Sequence, residues 1–105
     1  GALNAQTNQL VSSTSPAHPG DYIALYGTGL GLTEQRADGL NWALIQPTVQ
    51  VGGQPCQVVF AGRAPEFAGL DQINCQIATS ASASDTTDVI VTSGTRSVTI
   101  HIPVR

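Results

Sequence analysis

Apolar and polar residues alternate along most of this chain, and no segment keeps an apolar stripe at helical spacing for three turns. The clearest stretch is Arg96 to Val104, where Val98, Ile100, Ile102 and Val104 share one face. Thr99, His101, Pro103 and Arg105 share the other. Asp21 to Gly27 is a second strand, rich in aromatic and β-branched residues and stopped by Gly27, Gly29 and Gly31. Thr48 to Val51 runs into Gly52-Gly53, and Gln54 to Ala61 returns; two glycines between alternating runs predict a tight hairpin. Leu70 to Ile77 is the next strand, beyond a loop over 62–69, and Ala78 to Thr86 reads as a loop. Thr87 to Thr92 then pairs with the last strand through Ser93-Gly94-Thr95. Residues 1–19 are polar and read as an extended edge strand or lead-in. Leu30 to Asn41 has no strand pattern and room for one helical turn. About seven short strands predict a single all-β domain over residues 1–105, built as a two-sheet sandwich.

Composition then narrows the function. Charged residues make up 10% of the chain, far below the ~25% of an average soluble protein, so Thr, Ser, Gln and Asn cover the surface instead. Such surfaces are common on exported β-domains. Four Arg, no Lys and a net charge of −3 leave too little positive charge for a phosphate-tracking surface, which argues against nucleic-acid binding. No apolar run reaches the ~20 residues of a membrane helix, and no leader segment with basic, apolar and small-residue parts opens the sequence.

Catalytic, cofactor and metal sites are not expected. Gly27, Gly29 and Gly31 lack the following helix or lysine that would make a phosphate loop. Asp85 and Asp88 do not have calcium-loop spacing. Neither His18 nor His101 lies near a cysteine at ligand spacing. Ser is abundant, but no G-x-S-x-G elbow occurs, and Glu34, Glu66 and Asp71 pair no better than any loop carboxylates. A spontaneous isopeptide bond needs a Lys, which is missing. Trp42 is the candidate ligand contact: an exposed indole would stack on a sugar ring, whereas Ala43-Leu44-Ile45 beside it favour a plug of the long loop against the sandwich. Cys56 alternates with Val58 and Phe60, and Cys75 with Ile73 and Ile77, so both thiols face the core on consecutive strands. A bridge between them is feasible if they stand opposite one another; the alternative is two buried free thiols.

Six segments together resemble a known family. Pro19-Gly20, Tyr26 to Gly31, Val49 to Pro55, Val58 to Gly62, Ala64-Pro65 and Gly69 to Asn74 follow, in order, the pattern of an immunoglobulin-like domain. That domain is found in secreted proteins of Acidobacteria and related bacteria and is akin to the IPT/TIG early-set branch. The likeness runs from about Leu3 to Val104. It implies an immunoglobulin-like sandwich and export to the cell surface or beyond, and says little about a ligand. With no catalytic motif in the chain, the expected function is a non-catalytic structural or adhesive module that contacts other protein domains or copies of itself, or spaces domains in a larger protein. A filament subunit that donates Ala2 to Ser15 in strand addition, and a carbohydrate-binding accessory module, are the alternatives. In the family pattern, small or aliphatic residues stand where Cys56 and Cys75 are found. A Cys56–Cys75 disulfide is therefore expected from the core-facing placement and the implied export, and would be this chain's own.

Overall fold

The computed structural model describes all 105 residues, and every regular element is a strand. Nine occur: β1 (Ala2–Asn4), β2 (Tyr22–Gly27), β3 (Thr33–Gln35), β4 (Asn41–Ala43), β5 (Thr48–Val51), β6 (Gln54–Arg63), β7 (Asp71–Gln76), β8 (Ser84–Ser93) and β9 (Arg96–Val104). They pair antiparallel in one curled sheet in the order β1-β2-β7-β6-β5-β8-β9, while β4 joins β6 and carries β3 on its far side. The six strands read from the sequence are present with small shifts. The two glycines of the β5–β6 turn have φ of 58° and 79°, which their missing side chains make accessible.

Strand β6 gives the sheet its curl. Its first residues pair with β5, Val49 opposite Cys56, while Gln57 to Arg63 pair with β7. Between Val58 and Phe60 the register slips by one residue, a bulge that bends the strand. The slip also breaks the alternation expected from the sequence. Cys56, Val58 and Ala61 face inward, whereas Phe60 pairs with Asn74 and lies on the outer face. The two ends of the curl meet through the chain just before β2. Ala17 N–H donates to Pro103 O (3.0 Å), and Arg105 N–H donates to Ala17 O (2.8 Å).

The core fills the concave side. Ile23, Ile77, Val51, Val89, Val104 and Cys75 are its most completely buried side chains, one or more from each of β2, β5, β7, β8 and β9 or the residue beyond β7. The polar lead-in is ordered: after β1 the chain doubles back, with Val11 N–H on Ala2 O (3.0 Å), before crossing to β9. Residues 30–41 hold no helical turn. They form β3 and one side of β4, a hairpin too short for its alternation to register in the sequence.

The expected Cys56–Cys75 disulfide is not formed: both cysteines are buried free thiols. The loop over 64–70 sets a register in which Cys75 stands opposite Val58 and not Cys56. The cysteines are thus offset by two residues, where side chains on one face are ~7–8 Å apart along the diagonal, too far for the ~3.8 Å Cβ separation of a bridge.

Candidate functional site

The last strand buries only half of its apolar face. Ile102 and Val104 are inside, Ile100 is half-buried, and Val98 is 61% exposed although it continues the same inward row. Val98 and Ile100 instead form one wall of a groove of about 170 Å³ at the open end of the curl. Val91 extends that wall, and Leu25, Ile73 and Leu30 form the opposite one. A void of ~150 Å³ holds a benzene ring, so the groove has room for roughly one large side chain.

The glycine-rich turn after β2 builds the rim. Gly29 and Gly31 take φ of 106° and 81° and so fold the intervening Leu30 back into the groove, where it is buried. Leu30 N–H is held by Asp71 Oδ2 at 2.9 Å, which puts a half-buried carboxylate in the lining. Tyr26 lies beside it and packs edge-on against Phe67 at 5.5 Å. Burial, and secondarily the nearby Glu66 carboxylate, raise the Tyr26 hydroxyl above its ordinary pKa of 10.0. Gly29 and Gly31 therefore shape the rim of the groove.

The outer edge of β9 adjoins this groove. Ala17 occupies it only at Pro103 and Arg105. A strand turns the N–H and C=O of alternate residues to one edge, so those of Ser97, Thr99 and His101 point the same way and find no backbone partner. Open hydrogen-bonding groups and open apolar surface thus lie side by side.

Trp42 stands elsewhere, on the outer face opposite Gly62 of β6. Its ring meets the Phe60 edge at 4.9 Å, the Arg36 guanidinium sits 4.6 Å from its centroid, and its Nε1–H donates to Asp38 Oδ2 at 2.9 Å. The Leu40 backbone N–H and then the indole hold Asp38 below the ordinary carboxylate range. Trp42 is half-buried among its own chain's groups, and a stacked sugar would have to displace Arg36.

The remaining polar candidates are dispersed. Asp88 pairs with His101 at 2.9 Å, Asp85 pairs with Arg105, and His18 Nδ1 lies 2.7 Å from Arg105 O. No three His, Cys, Asp or Glu side chains converge at metal-binding distance. The β9 groove escaped sequence reasoning because periodicity reports which face a residue takes, not whether anything covers that face.

The neighbouring Cys56 thiol, and then burial, push the Cys75 thiol far above its ordinary value of 9.0. Thiol titration after denaturation is expected to find both cysteines in every chain, and melting with and without reductant should coincide. A melting point that falls on adding reductant would show a bridge instead.

Alkali should be destabilising. A thiol whose pKa is raised in the folded state contributes stability below the unfolded value of 9.0 and loses it as pH rises past that point. Each further pH unit then costs about 1.4 kcal/mol for this one group. Urea midpoints compared between about pH 8 and about pH 10 should fall more steeply for the native chain than for Cys75→Ala. Equal declines would remove the thiol as the cause.

No family model matches this chain, nor does any curated protein or solved structure.

Proposed function

We propose that this chain is a non-catalytic, exported module of immunoglobulin-like sandwich architecture that makes contacts with other protein chains. The strand order supports the two-sheet reading. In that order β1, β2 and β7 precede the bent β6 and β5, β8 and β9 follow it, as two layers joined through one shared strand would require. The low charge and Thr/Gln-rich surface support export.

The observation that carries the contact reading is Val98, an inward-row aliphatic left exposed over an apolar groove. Such surface is costly in water, at ~25 cal/mol per Å², and is retained where something else covers it. The test is to pan a library of short linear peptides on the native domain and on Val98→Arg, with a glycan array in parallel. Peptides enriched on the native domain and lost on the variant would support protein contact. Glycan binding without peptide enrichment would move the reading to carbohydrate, and no retention on either would overturn it.

A further inference from the structure

We infer that the open edge of β9 accepts an extended segment of another chain, parallel to β9, with apolar side chains at alternate positions and a basic residue at its leading end. The inference rests on the protein-contact reading and adds the partner's conformation and chemistry. Four observations on the structure converge on it.

The first is the row of unpartnered N–H and C=O groups at Ser97, Thr99 and His101. Main-chain groups of this kind are satisfied by an added strand, whatever its sequence. The second is the groove beside them, lined by Val98, Ile100, Leu25, Ile73 and Leu30. An added strand turns every second side chain toward the concave side, where the groove takes roughly one large apolar group. The third is continuity. Ala17 already lies parallel on the same edge through Pro103 and Arg105, so a segment along Ser97 to His101 would extend a pairing the fold already makes. Pro103 has no N–H, and the edge open to a newcomer therefore runs toward the start of β9.

Charge supplies the fourth. A parallel segment begins near the start of β9, at the end of the groove where Asp71 lies in the lining. Asp71 uses one oxygen on Leu30 N–H, and Arg63, its partner across the β6–β7 pairing, donates its Nε–H to Thr33 Oγ1 and makes no ion pair with it. A Lys or Arg at the leading end of the segment meets that carboxylate, whereas an acidic one is repelled.

The experiment uses the ¹⁵N-labelled domain and a synthetic peptide that alternates valine and threonine behind an N-terminal lysine. Two controls are a copy N-methylated at the residues facing β9 and a copy with its valines grouped together. The amides of Ser97, Thr99 and His101 should shift and gain protection from exchange with the alternating peptide. Backbone methylation, valine grouping and Val98→Arg should each weaken binding about tenfold or more, since each removes either the ladder or a buried side chain. Val98 is exposed, so its variant should melt with the native domain. Asp71→Asn keeps an acceptor for Leu30 and should erase the preference for lysine over a neutral leading residue.

Shifts centred on Gln72, Asn74 or Trp42, or unchanged affinity for the methylated copy, would overturn the inference while leaving protein contact standing. Broadening of the β9 amides with protein concentration alone would overturn it in favour of pairing between two copies. Failure of peptide panning altogether removes the underlying reading instead.

Discussion

Replacing Gly62 by alanine is expected to lower the melting temperature by roughly 10–20 °C. Gly62 is buried on β6, with β4 lying directly across it and Trp42 as its pairing partner. A Cβ there would fall on the carbonyl oxygen of Asn41, 2.9 Å from its carbon and 3.0 Å from Trp42 Cα. These are backbone atoms, so no side-chain rotation relieves the clash; β4 must lift off β6 as a unit. Overpacking a closed site costs about 1–3 kcal/mol, and a backbone obstacle belongs at the upper end. Separation of Trp42 from Phe60 should also weaken the near-ultraviolet circular dichroism of the indole. Gly27→Ala is the control, since a Cβ at Gly27 meets nothing within 4 Å. Equal melting points for the two variants would mean that β4 does not rest on β6.

Gly62 also marks the limit of what the residues reveal by themselves. Runs with strong alternation or paired glycines, such as Asp21 to Gly27, Thr48 to Ala61 and Thr87 to Val104, are legible because each reports its own conformation. The β3–β4 hairpin is not. Its strands have three residues each and are held by pairing and by Arg36 N–H on Leu40 O, so nothing in Thr33-Glu34-Gln35 announces a strand. The cysteines fail for a related reason. Alternation places Cys56 and Cys75 on the inner face, but register depends on the geometry of the 64–70 loop, which no local pattern encodes. At the candidate site the row Val98, Ile100, Ile102, Val104 was readable as one apolar face. That its first half stands uncovered depends on where β2, β7 and the Gly29–Gly31 turn end.

Ile23→Ala should have an effect of similar size from the opposite cause. Ile23 has no exposed surface, and its partners in the sheet are Cys75 on one side and Asn4 on the other. Removing three carbons from a closed core site costs about 2–5 kcal/mol, the lost burial plus the cavity left behind. A domain of this length has a total stability of ~5–15 kcal/mol, so the variant could lose a third or more of it. Urea unfolding should show a lower midpoint with an unchanged slope, because the denatured chain is altered little. Val59→Ala removes a similar aliphatic side chain from the outer bulge, where it is 48% exposed, and should shift the midpoint far less. Parity between the two would contradict the inward placement of β2.

The contact between Ala17 and the end of β9 has a kinetic meaning. It joins parts of the chain that are far apart, His18 and Arg105 being separated by 87 residues, and it depends on β2, β8 and β9 already being in place. The β5–β6 and β8–β9 hairpins close over short turns and can form early, within about microseconds for an isolated hairpin. Joining them through β2 and β7 requires long loops to close before any contact rewards the lost entropy, which places the whole reaction on the slower time scale of sheet-rich domains, about milliseconds to seconds. The clasp at Ala17 is expected to form after the rate-limiting step, so weakening it should speed unfolding and leave the rate of folding almost untouched, which stopped-flow urea jumps would check.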